Sequence, residues 1–226
     1  MNSFSRTNVT LLGLLMFLGA NFCNSQNPQS YFYENEVDLY LSLDSLWSMD
    51  IGVGNRGMLQ ESLDGEKISG YQHEHLELNH FTNYLAKKNI VLSLGLRYRF
   101  KELFDAAETD EFRIIEQVQL ESVSSSFSHR FRLEQRFREN TIHRIRYDVA
   151  YSTPTSQNFA LGIGTEAIYA VSNKLKPEAE QRFSIGFENS SFEDIELELG
   201  FEYRMENYAR HLAHEFFMIT GIGISL

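Results

Sequence analysis

The chain has 226 residues, enough for one β-barrel or one ordinary globular domain. Its formal net charge of −11 excludes a nucleic-acid surface, which needs a concentrated basic patch, and its single cysteine, Cys23, excludes an intramolecular disulfide framework. With 18 Phe and 11 Tyr against 3 Pro it is rich in aromatics, and the slightly negative mean hydropathy fits both a soluble domain and a membrane barrel with a polar interior.

The N-terminus pairs a positive residue, Arg6, with an apolar run at 9–19 and a short tail at 20–25. That run is too short for the roughly twenty residues of a spanning helix, so residues 1–25 are expected to be a secretory signal peptide cleaved after Ser25. Cys23 and Ser25 occupy the small-residue positions before the cut. A lipoprotein signal using Cys23 is the rival reading, and Phe22 disfavours it by standing where a small residue is required. Residues 26–226 form the mature chain.

Period-two alternation of apolar and polar residues then recurs along the chain, the mark of strands with unlike faces. Val37, Leu39, Leu41 and Leu43 alternate with Glu36, Asp38, Tyr40 and Ser42; after a tight link at 44–46, Trp47, Met49, Ile51 and Val53 alternate with glycines. Residues 55–70 carry no pattern and read as an exposed loop. Residues 71–84 are poorly patterned, with Leu76 and Leu78 against His75, Glu77 and Asn79, whereas 90–100 set six apolar residues against Val91, Ser93, Gly95, Arg97 and Arg99. An acidic stretch at 101–111 reads as a second loop. Phe112, Ile114, Val118 and Leu120 then alternate with Arg113, Gln117, Gln119 and Glu121, and a serine-rich turn at 122–126 leads on.

Residues 127–151 form the clearest hairpin. Phe127, His129, Phe131, Leu133, Gln135 and Phe137 share one face against Arg130, Arg132, Glu134, Arg136 and Arg138; Ile145, Tyr147, Val149 and Tyr151 share the next against Arg144, Arg146 and Asp148. Further alternating runs lie at 159–168, 182–188, 195–204 and 215–226, with Glu166, then Glu196, Glu198, Glu202 and Arg204, on the polar face. A soluble sheet would need another element to cover so much apolar face, and the chain offers only more strands. The pattern therefore predicts an all-β, closed antiparallel transmembrane barrel with lipid outside and charge inside. About eleven segments are visible; the even counts of bacterial single-chain barrels favour twelve, with residues 26–35 adding a strand, over ten.

The motifs His129-Arg130-Phe131-Arg132-Leu133-Glu134-Gln135-Arg136-Phe137, Arg144-Ile145-Arg146-Tyr147, Glu166 and Glu198-Leu199-Gly200-Phe201 resemble the domain-of-unknown-function family 2490, outer-membrane β-barrels of Gram-negative bacteria. The resemblance implies barrel and outer membrane and brings no activity. Leu226 departs from many outer-membrane barrels, which end on an aromatic residue.

The candidate site is the lumen lining: Arg130, Arg132, Glu134, Arg136, Arg144, Arg146, Asp148, Glu166, Glu196, Glu198, Glu202 and Arg204. These either pair across a filled interior or line a selective path. Ser126, Ser128 and His129 are the only nucleophile and base cluster, and adjacent strand residues such as Ser128 and His129 face opposite ways, so catalysis is not expected. His73 and His75 with His80 or Glu77, and His211 with His214, are weak metal candidates. The expectation is a non-enzymatic outer-membrane protein without cofactor, a narrow channel being one form of it. Its expected partners are the lipid bilayer with its lipopolysaccharide and the outer-membrane assembly machinery. The alternatives are an interfacial lipid-modifying enzyme and a secreted soluble barrel holding an apolar ligand.

Overall fold

The computed structural model describes residues 28–63, 66–101, 109–122 and 126–226. The expected signal peptide at 1–25, and parts of the predicted links at 101–111 and 122–126, lie outside the described residues. Eleven strands follow in chain order: β1 (Gln29–Ser42), β2 (Trp47–Leu63), β3 (Glu66–Lys87), β4 (Ile90–Phe100), β5 (Glu111–Glu121), β6 (Phe127–Phe137), β7 (Ile142–Pro154), β8 (Phe159–Ser172), β9 (Glu178–Phe192), β10 (Ile195–Glu206) and β11 (Ala213–Ser225). Each pairs with its neighbours in sequence, and β1 pairs with β11 to close a barrel. The described residues include no helix.

Closure departs from the sequence expectation in number and direction. Successive antiparallel strands alternate in direction, so in a ring of eleven the first and last run the same way. The β1–β11 pair is accordingly parallel, from Gln29 opposite His214 to Tyr40 opposite Ser225. The segment predicted to add a twelfth strand is instead the first half of β1. Tyr31 and Tyr33 face outward, Phe32 and Glu34 inward, and the alternation runs on through Val37 without a turn residue to interrupt it. The ladder to β2 is continuous from Gln29 opposite Ser62 to Ser42 opposite Ser48, with one register shift at Tyr31/Phe32.

The second correction concerns residues 55–70, predicted to be a loop. Of these, 55–63 form the end of β2 and 66–70 the start of β3, paired from Asn55 opposite Leu76 to Leu63 opposite Glu66 with register shifts at Arg56/Gly57 and Met58/Gln60. Because β4 joins β3 only from Leu76 opposite Phe100, this hairpin projects beyond the β3–β4 ladder. Residues 66–72 are exposed whichever way they point, so the ribbon needs no apolar face and shows no alternation.

Links at 43–46, 88–89, 122–126, 155–158 and 193–194 gather at one end of the barrel with Leu226, here the turn end; those after Leu63, Phe100, Phe137, Ser172 and Glu206 gather at the other, the loop end. Local chemistry makes the tight turns. Asp44 Oδ1 accepts the backbone N–H groups of Leu46 (2.7 Å) and Trp47 (2.9 Å), and Asp194 takes a φ of 58° in a two-residue turn, a conformation Asp tolerates.

Inside and outside are inverted relative to a soluble protein. The buried residues include Glu77, Glu111, Arg113, Glu134, Arg144, Arg146, Glu166 and Arg204, while Leu94 is 54% and Ile145 59% exposed. The outward face is an aliphatic belt that includes Val37, Ile51, Leu92, Leu133, Ile163, Ile185 and Leu199, all exposed. Aromatics flank it. Near the loop end Tyr31, Phe216, Tyr203 and Phe183 form a row with successive ring centroids 5.0, 5.1 and 6.4 Å apart; near the turn end Trp47 packs on Tyr84 and Phe127 on Tyr151.

The parallel closure is directly testable. Paired strands lie about 4.8 Å apart, within disulfide reach, whereas an intervening strand would double the gap. Val37→Cys with Ile222→Cys should cross-link on oxidation and alter gel mobility; a folded double variant that stays reduced would refute the eleven-strand closure.

Candidate functional site: the lumen

The inward residues of ten strands build one ion-paired lining. At its centre Glu134 on β6, 1% exposed, accepts a hydrogen bond from Arg146 Nη1 at 2.7 Å and has Arg132 at 3.6 Å and Arg144 at 3.9 Å. Arg146 reaches the other way to Glu166 on β8 with two hydrogen bonds, Nε to Oε1 at 3.0 Å and Nη2 to Oε2 at 2.6 Å. This fork-to-fork geometry suits a guanidinium facing a carboxylate.

The pairing continues around the barrel. Arg144 donates to Glu180 on β9 (2.9 Å); Arg182 lies beside Glu180 (2.5 Å), Glu166 (3.7 Å) and Glu202 on β10 (3.7 Å); Arg204 pairs with Glu202 and approaches Glu34 on β1 (3.7 Å), which also holds Arg56 on β2 (3.1 Å). Glu77 on β3 sits between Arg97 (2.9 Å) and Arg99 (2.7 Å) of β4, and Glu111 on β5 between Arg113 (2.5 Å) and Arg136 (2.7 Å). Phe217, 2% exposed, carries the guanidinium of Arg204 over its ring at 3.6 Å and stacks on Phe32 at 4.7 Å. Charges this deep are tolerable only beside opposite charges, which come from neighbouring strands and, on β5, β6, β9 and β10, from the next inward position of the same strand.

The predicted lining thus splits. Arg132, Glu134, Arg136, Arg144, Arg146, Glu166, Glu202 and Arg204 enter the network, and Arg130 lies near Asp148 (3.7 Å) and Glu166 (4.0 Å). Glu196 and Glu198 make no ion pair among the described residues; they are exposed on a glycine-bearing wall, where Gly186, Gly200 and Gly221 leave the Glu198 carboxylate room. Sequence reasoning left Glu34, Arg56, Glu77, Glu111, Glu180 and Arg182 out of the lining. Each sits two residues from another inward residue on its strand, so extending the alternation would have reached them.

Two cavities occupy the lumen. One, of about 630 Å³, runs from Glu178, Asn207 and His211 at the loop end to Glu36 and Arg132; the other, of about 320 Å³, continues past Asp38 and Asp50 to Tyr40 and Gln119 toward the turn end. Most of their lining is polar. Most of the large Phe, Leu and Tyr side chains face outward, Tyr40 and Phe81 being the aromatic side chains on the cavity lining.

The remaining candidates are dispersed. His129 is on the outer face, its Nδ1 3.0 Å from Tyr147 Oη, while Ser128 faces inward opposite Ala150. His75 pairs with Arg56 and His73 with Gly57, so a bulge at Glu74 parts them and turns only His75 into the lumen. His80 bonds Thr82 at 3.2 Å, and His214 Nδ1 lies 2.7 Å from Tyr203 Oη. No group of three or more His, Cys, Asp or Glu among the described residues has metal-binding geometry.

A closed barrel with its charges paired inside and its apolar side chains outside is the class of protein these features define. Within that class, the family model DUF2490, a protein of unknown function, matches residues 36–214, and the chain belongs to that family. No curated protein matches the chain.

Glu134→Gln keeps the side-chain volume and leaves three arginines around a neutral amide. It should cost about 3–5 kcal/mol of stability, read by urea unfolding in detergent micelles. A loss below about 1 kcal/mol would refute the view that ion pairing holds the lumen.

Proposed function

We propose that this protein is an integral outer-membrane barrel, exported by its N-terminal signal, whose lumen is a narrow hydrophilic channel and which carries out no catalysis. The observation that carries the membrane reading is the outward belt of mostly aliphatic side chains, interrupted by the exposed Glu116 between Leu94 and Leu133, with aromatics near both of its edges. Phe127 to Phe137 on β6 spans about 33 Å at ~3.3 Å per residue, or about 25 Å once tilted by ~40°, the height of the apolar band on outer-membrane barrels. Such a belt in water would be a large exposed apolar surface. Lipid tails bury it, and the aromatic rings suit the interfaces on either side. The bilayer with its lipopolysaccharide, and the machinery that inserts barrels, are the partners this reading requires.

The channel reading rests on the two cavities, which together extend along most of the lumen between walls of charged and polar groups. Single-channel recording in a planar bilayer tests it, once heat-modifiable migration has verified a folded barrel. Discrete, salt-dependent conductance steps are expected; a folded but silent barrel would overturn the channel and leave a filled lumen.

The membrane reading has its own test. Leu199→Arg or Phe201→Arg places a charge on the lipid face and should cost about 2–4 kcal/mol near the midplane, while Gly200→Arg, pointing into the lumen, should assemble more readily. Equal assembly of all three variants would contradict the facing.

A further inference from the structure

Four side chains, Glu36, Arg97, Arg130 and Arg132, line both cavities and mark where they meet. Here the two signs of charge separate across the lumen. Glu36 and Asp38 on β1 and Asp50 on β2 stand on one wall; Arg97 on β4 and Arg130 and Arg132 on β6 stand on the other. Strand β6 lies five strands from β1 in one direction and six in the other, so it faces β1 across the lumen.

Both walls are built rather than incidental. Arg97 is held by Glu77 at 2.9 Å, and Arg132 donates twice to Gln117 Oε1, at 2.7 and 3.0 Å, with its guanidinium 5.8 Å from the Phe81 ring. Opposite, the Asp38 carboxylate occupies the space a Cβ on residue 52 would take, so Gly52 is what lets it stand there. Asn83 donates to Asp50 at 2.9 Å. Among the described residues no ion pair within 4.0 Å joins the two walls, and Glu36 and Asp38 have no cationic partner at that range.

A further observation points to a guest with both signs of charge. Asn79 is only 9% exposed, lines the second cavity and leaves its Oδ1 without a hydrogen-bond partner; the buried Nε groups of Arg97 and Arg130 are likewise unpartnered. An acceptor is thus spare beside the acidic wall and donors are spare on the basic one.

We infer that this junction is a selectivity constriction for small zwitterionic solutes, which pass with the ammonium toward Glu36 and Asp38 and the carboxylate toward Arg130 and Arg132. The inference rests on the channel reading. Opposed walls largely cancel for a simple ion on the axis, attracting it on one side as they repel it on the other. They add for a dipole lying across the lumen, and the low-dielectric barrel wall strengthens that field.

Proteoliposome swelling in glycine and in its uncharged isomer glycolamide, corrected for protein-free liposomes, tests this at equal solute mass. The native protein should admit glycine about threefold faster or more. The double variant Glu36→Gln with Asp38→Asn, which breaks no ion pair and should fold, is expected to bring the ratio close to one. Equal rates in the native protein, or a ratio the double variant leaves unchanged, would overturn the selection and leave the channel standing. A folded protein that swells in neither solute would overturn the channel, and the selection with it.

Discussion

A carboxylate sealed among arginines sets the terms for this structure. Glu134 has almost no contact with solvent, and its charge is tolerable only because Arg146, with Arg132 and Arg144 nearby, faces it. Those arginines need carboxylates in turn, which Glu166 and Glu180 supply from β8 and β9. The requirement propagates from strand to strand, from Glu134 as far as Glu34 and Arg56, and with the separate clusters around Glu77 and Glu111 it fills the barrel interior with ion pairs where a soluble domain would have an apolar core. Closure of the backbone ladder and neutralisation of the interior depend on each other: the register that pairs strands also brings opposite charges together.

The network is uneven along the barrel. Toward the loop end most inward charges have partners, Glu178, Glu206 and Glu215 making no ion pair among the described residues, and Phe217, Phe32 and Ile115 pack among them. Toward the turn end the inward residues of β8 to β11 include many glycines, and Glu196 and Glu198 stand exposed without ion pairs among the described residues. Small residues make room and unpaired carboxylates hold it open to water. The two halves differ in how their charges are held, ion-paired in one and largely free in the other, and the proposed constriction lies where the two cavities meet.

Odd strand number shapes the ends. With eleven strands the N-terminal end of β1 comes to the loop end beside the start of β11, opposite to Leu226. The projecting β2–β3 hairpin rises from the same end, with Tyr71 lying over Gly57 where the strand bulges. At the inward surface similar close approaches occur where the Tyr40 ring lies over Gly223 and where the Phe81 ring lies over Gly95 and carries Arg132 above the lumen wall.

Alternation in the sequence determined which way most residues point. A strand sends successive side chains to opposite faces whatever it pairs with, so Arg144, Arg146 and Asp148 could be assigned inward, and Ile145 and Tyr147 outward, from local sequence. The resemblance carried by residues 129–137 agreed with the family shown over 36–214. Where no face differs from the other, as in residues 66–72, the signal vanished and strand was mistaken for loop. The identity of each charge's partner was beyond local sequence, because it depends on register between strands: Arg146 meets Glu166 twenty residues on, and Arg204 meets Glu34 only because the barrel closes. Strand number and the parallel closing pair belong to the same category. They are properties of the ring, decided when β1 finds β11, and no single strand contains them.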